Sequence, residues 1–135
     1  MAQLEEGIFS LLSADSGVAA LVGSRIYPTQ APQNVTYPCV VYQRVGAERA
    51  HHTTGASGVS EVRMQVASLA ESYSGAKALG AAVRAAMDAQ RGMWGAVDVL
   101  GSTIHSEMDV LDASPKSDAR RLYGIQQDYG IFHRE

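Results

Sequence analysis

Four histidines, one cysteine and fourteen carboxylates are the side chains through which this sequence could do metal, nucleophilic or acid–base chemistry. His51 and His52 are adjacent, so in an extended segment they point to opposite sides and cannot jointly hold one ion. His105 or His133 brought near would add an imidazole, yet no carboxylate sits at a useful spacing to complete a ligand set. A small hydrolase or metal-dependent enzyme built on His51, His52 and Asp109 would need these distant segments to converge. Cys39 follows Pro38 at the head of an apolar run, the setting of a small buried hydrophobe rather than a nucleophile. Asp109 and Asp112 lie three apart near a strand end, where acids discourage edge pairing. Asn34-Val35-Thr36 fits the glycosylation pattern, which is too short to carry weight without a secretory signal. Gly-x-Ser-x-Gly, the P-loop, Gly-x-Gly-x-x-Gly after a strand, His-Glu-x-x-His and Cys-x-x-Cys are all missing. The sequence therefore predicts no catalytic residue, no metal and no cofactor, and a protein that works by binding other protein subunits.

Composition narrows the classes further. The 135 residues suit one domain spanning 1–135 with one modest core. With 46% apolar and 19% charged residues, the chain is too hydrophobic for disorder. Its longest apolar stretches, such as Gly17 to Gly23, fall far short of the roughly 20 residues that span a bilayer. Glu5 and Glu6 stand where a secretory signal carries basic residues, and a single cysteine suits a reducing compartment, so assembly in a cytoplasm is expected. Eleven basic against fourteen acidic residues give a net charge of −3 with no basic block, which argues against direct nucleic-acid binding. Arg120 and Arg121, beside Asp118, read as a solvated strand end.

The elements that must position these residues follow from periodicity. Leu4, Ile8, Leu11 and Leu12 form one face of a helix over Gln3 to Leu12, with Glu5 and Glu6 at the positive end of its dipole. Asp15 or Ser16 can cap a second short helix through Val18, Leu21 and Val22, stopped at Gly23. Arg25, Ile26 and Tyr27 read as extended, and Pro28, Pro32 and Pro38 mark a surface loop. Cys39 to Val45 and Ser60 to Ser68 are strands, and Gly46 to Val59, with its three glycines, reads as an extended, mobile loop joining them. The main helix is expected from Ala70 to Gln90, ended by Gly92, with small residues Ala78, Gly80, Ala81, Ala82 and Ala85 allowing close approach of a sheet. Val97 to Leu100 and Ser102 to Val110 are extended around a kink or bulge at Gly101, and Arg120 to Phe132 forms a long final strand. The expected fold is α+β: a mostly antiparallel sheet of about four strands, a long helix on one face, and a short N-terminal helical hairpin.

Three neighbouring segments carry a family likeness. Leu21-Val22-Gly23-Ser24-Arg25-Ile26-Tyr27-Pro28 is followed by Ala31-Pro32-Gln33 and then by Tyr37-Pro38-Cys39-Val40-Val41-Tyr42-Gln43. This combination resembles the tail completion proteins of long-tailed bacteriophages, grouped with tail-to-head joining proteins and tail terminators and serving gene transfer agents as well. The strand Val62 to Val66, the start of the main helix at Glu71-Ser72-Tyr73-Ser74-Gly75-Ala76 and the closing strand follow that family's layout, so the likeness spans nearly the whole chain. Cys39 stands where a larger residue is expected, a departure that bears on packing. The resemblance implies a structural subunit of a hexameric ring that caps the tail tube at the head–tail junction of the virion. Its implied partners are further copies of itself, the tail tube protein and a head-closure or connector protein of the neck. A head-closure or connector role is the alternative within the same class. In this reading Glu48, Arg49, His51, His52, Thr53 and Thr54 contact a neighbouring subunit or the tube, while Arg25, Ile26, Tyr27, Pro28, Pro38 and Tyr42 form the supporting core.

Overall fold

The structure, a computed structural model, describes residues 4–32, 35–52, 55–110 and 122–134, with 47–52 and 55–58 as backbone only. Helix α1 (Leu4–Ala14) buries Leu4, Ile8 and Leu12, as the spacing requires, with Leu11 packed partly against the same core. It hands over at once to α2 (Ser16–Val22), because the Asp15 carboxylate accepts a hydrogen bond from the Val18 amide at 3.0 Å. Gly23 ends α2 at φ 59°, a conformation that glycine adopts without a Cβ penalty. Both helices fall where periodicity places them.

Six strands make one sheet in the order β1-β2-β3-β6-β5-β4, two more than expected. The additions are three-residue edge strands. β1 (Ile26–Pro28) pairs in parallel with Val40–Tyr42 of β2 (Cys39–His52), and β4 (Gly92–Trp94) pairs with Val97–Val99 of β5 (Val97–Val110). Elements so short have no periodicity of their own, and pairing with a longer neighbour creates them. β5 is continuous through Gly101, where its register against β6 (Tyr123–Arg134) slips, so the expected bulge is present. The expected start of β6 at Arg120 lies outside the described residues, as does the Asp118–Arg121 group.

The larger correction concerns Gly46 to Val59. Instead of a mobile loop, β2 and β3 (Gly55–Ala70) form one long antiparallel hairpin, paired from Cys39↔Leu69 to His52↔Gly55. Glycine, alanine and histidine have little strand preference, so the segment reads as loop, whereas the backbone ladder tolerates them. Two register shifts, between Arg44 and Gly46 and between Arg49 and His51, absorb the extra residues.

Helix α3 (Tyr73–Met87) is shorter than the expected Ala70 to Gln90. The Ser72 hydroxyl caps it by accepting from the Gly75 amide at 3.1 Å, and it stops at Asp88, ahead of Gly92. All three helices border one side of the sheet, and the core between them holds Val62, Met64 and Val66 of β3, Tyr129 and Ile131 of β6, and Leu79, Val83 and Met87 of α3. Close approach is required at Gly80, where a Cβ would lie 3.1 Å from Ile125 Cγ2.

Candidate subunit interface

The signature residues meet where β1 joins β2. Ile26 pairs with Val40, Tyr27 with Val41 and Pro28 with Tyr42, which aligns the two halves of the motif side by side. Arg25 locks the pair: its Nε donates to the Pro38 carbonyl at 3.0 Å and a terminal nitrogen donates to the Leu21 carbonyl at 3.3 Å. Ile26 and Tyr42 are buried, Arg25, Tyr27 and Pro38 half-buried and Pro28 exposed. The Tyr42 hydroxyl donates to the Glu5 carbonyl at 3.1 Å, tying the strand to α1. Cys39 is fully buried; burial pushes its thiol up to about 11, against a smaller lowering by Arg25. It is an inert wall residue, as its place in the sequence suggests.

The residues expected to make contacts fall on the hairpin. Glu48 stands opposite Glu61, Arg49 opposite Ser60, His51 opposite Ala56 and His52 opposite Gly55, while Thr53 and Thr54 lie outside the described residues. Pairing of β3 with β6 stops at Val59↔Arg134, so the ribbon beyond it has no third strand among the described residues. A bare two-stranded ribbon is marginal in water and gains from a partner.

The register also decides whether the histidines and Asp109 can act together. Asp109 shares a row with Ile125, Ser68 and Val40, whereas His51 lies beyond the row of Arg49 and Ser60. At roughly 3.3 Å per residue this separates them by about 30 Å along the strands alone. They do not converge. Asp109 instead accepts from the Tyr73 hydroxyl at 2.8 Å and lies 3.7 Å from Lys77 Nζ. His105 lies over Gly130, and His133 stands opposite Ser60. Among the described residues no three of His, Cys, Asp and Glu are grouped to hold a metal ion, and Asp112 is not one of those residues.

One polar network was not anticipated. Gln127 Nε2 donates to the Gly80 carbonyl at 2.9 Å and to Glu107 Oε1 at 2.7 Å, and its Oε1 accepts from the Tyr129 hydroxyl at 2.9 Å. Arg84 of α3 lies 3.6 Å from the other Glu107 oxygen. Burial, followed by the nearby charges of Asp88 and Glu107, raises the Tyr129 hydroxyl well above its usual range. The network joins α3 to β5 and β6 without offering a substrate access, since Gln127 and Tyr129 are fully buried. The signal in the sequence is a glutamine inside the row Tyr123, Ile125, Gln127, Tyr129, Ile131.

The model of the family "Tail completion protein gp17" matches residues 6–133. The chain belongs to this family. That membership gives it a structural role in tail assembly. A chain from a solved structure, "Virion of native gene transfer agent (GTA) particle", is similar in fold, with a TM-score of 0.72, 21% identity, and coverage of 98% of this chain and 95% of that one. No curated protein matches. No helix among the described residues is long and apolar enough to cross a membrane.

Proposed function

We propose that copies of this chain, each a single domain over 1–135, form a hexameric ring that caps the finished tail tube and joins it to the neck of the head. The family match over 6–133 carries this reading. The fold it shares with a chain of a gene transfer agent virion is in keeping with it. The subunit is built for directional contacts, because its two sheet edges and its projecting hairpin differ from one another, and a head-to-tail ring needs two different faces on one subunit. The protein is then a virion component at the head–tail junction, assembled in the host cytoplasm, with the tail tube protein and a head-closure or connector protein as neighbours. It does its work without catalysis. Glu48, Arg49, His51 and His52, at the far end of the hairpin, touch the next subunit or the tube together with Thr53 and Thr54, while Arg25 to Tyr42 supports them.

Deleting Ala50 to Ser57 tests the assignment of the hairpin. The shortened chain should fold and fail to complete tails, giving unjoined heads and tails by electron microscopy. Normal particles from that variant would remove the hairpin from the contact surface.

A further inference from the structure

Among the described residues, two stretches of sheet edge have no strand alongside, and they sit at opposite corners. On one side β1 covers β2 only over Val40–Tyr42, leaving Gln43 onward without a neighbouring strand among the described residues. On the other side β4 covers β5 only over Val97–Val99. The end of α3 seals the next part: Ala89 donates to the Ser102 carbonyl at 2.8 Å, and Asp88 Oδ1 accepts from the Ile104 amide at 2.9 Å. Beyond it, Ser106–Val110 has no strand alongside among the described residues. Open edges of this kind are templates for pairing with another chain. Each also carries an exposed apolar residue, Val45 at 49% and Met108 at 57%.

We propose that successive copies join by antiparallel pairing of the β5 edge over Ser106–Val110 of one copy with the β2 edge over Gln43–Glu48 of the next. This rests on the ring reading and names its mating surfaces. Side-chain chemistry selects the unlike pair. On the helix-covered side the exposed part of β5 carries Glu107 and Asp109 and β2 carries Arg44, while Glu48 comes later in the β2 stretch, opposite Glu61 of β3. Two β5 edges together would set carboxylates against carboxylates, and two β2 edges would set Arg44 near its own copy; like charges across a pair of strands repel. The unlike pair sets opposite charges together, and a junction of two different edges propagates head to tail.

The faces and the covered parts of the edges together fix the register. Glu107 and Asp109 reach α3 through Arg84 and through Tyr73 and Lys77, Arg44 reaches Glu5 of α1 at 2.9 Å, and Met108 lies on the helix-free side against Gln126. Keeping the helix-covered side continuous admits Arg44 opposite either Glu107 or Asp109; only the Asp109 register keeps the new ladder clear of β1, and past the bulge at Val45 it sets Gly46 opposite Met108. In that register β1 stops the ladder at Tyr42 and Asp88 stops it at Ile104, so the two short devices bound the same stretch from both ends. Within one chain Asp109 is level with Val40, so each junction is displaced by four residues, about 13 Å. A closed ring absorbs such a stagger by tilting its strands, as a barrel does.

Cysteine pairing tests this in the full-length chain. A Cβ at Gly46 would meet nothing within 4 Å, and Met108 is exposed, so Gly46→Cys and Met108→Cys should both fold. Mixed under mild oxidation, the two variants should give a disulfide between unlike chains and none between like chains, and the doubly substituted chain should give a ladder of linked copies. Arg44→Glu and Asp109→Arg should each weaken association about tenfold, with partial recovery when combined. Rings visible by electron microscopy with no disulfide, or with like-with-like disulfides, would overturn the edge pairing and leave the ring reading standing. Unlike disulfides in open chains that never close would support the edge pairing and remove the ring. Neither rings nor disulfides, with and without isolated tail tubes, would refute both.

Discussion

Gln127 occupies a row of β6 otherwise built from Ile125, Tyr129 and Ile131, and it is fully buried. Its amide serves the Gly80 carbonyl, Glu107 and the Tyr129 hydroxyl at once, so it has an apolar position and a polar duty. Gln127→Leu keeps the volume and removes every partner. The Tyr129 hydroxyl is then buried without an acceptor, and stability should fall by about 1–3 kcal/mol, read from urea unfolding. Cys39 gives a prediction in pH. In the unfolded chain its thiol ionises near 9.0, and in the fold only near 11, because burial disfavours the thiolate. Between those values the folded state binds more protons than the unfolded state, so stability is undiminished below about 9.0 and declines as pH rises to about 11. Cys39→Ala should flatten that part of the alkaline stability curve, and a thiol reagent at pH 8 should modify the wild-type residue only after denaturation. Burial of Cys39 is legible in its place after Pro38; the three-way sharing at Gln127 is not, because a glutamine in an apolar row announces only that some partner must exist.

At the scale of elements, helix ends are set by local hydrogen bonds and strand ends by neighbours. Asp15 and Ser72 stand before helices and cap them, α2 and α3 respectively. Ser72→Ala leaves the Gly75 amide without its side-chain acceptor and should cost about 1 kcal/mol, seen as a lower melting temperature with the same unfolded baseline. Such signals are readable because capping involves residues three apart. The strands behave differently. β1 and β4 exist because β2 and β5 offer edges to them, and the outer hairpin exists because each strand supplies the other's ladder. Glycines at Gly46, Gly55 and Gly58 carry the propensity of a loop, and the cross-strand pairing that overrides it brings together residues as far apart in the chain as Gly46 and Arg63.

At the scale of the whole molecule, the core is gathered between the helices and the middle of the sheet, well away from the tip of the hairpin. Removing Ala50 to Ser57 should therefore leave the unfolding transition almost unchanged while abolishing tail completion, a separation that a general loss of folding would not produce. The residues of the outer hairpin and the two open corners of the sheet are where this subunit meets others in the proposed assembly. Its interior polar groups serve packing.

The sequence alone determined the α+β class, both N-terminal helices, the burial of Cys39, the bulge at Gly101 and the family likeness, since these rest on local periodicity, capping and a contiguous motif. Only the tertiary structure decided that six strands share one sheet, that the histidine pair and Asp109 stand at opposite ends of it, and that β2 and β5 each leave part of an edge without a neighbouring strand among the described residues. Those facts depend on strand order and register. Pairing partners come from distant parts of the chain, and a shift of a single residue would exchange the two faces of a strand.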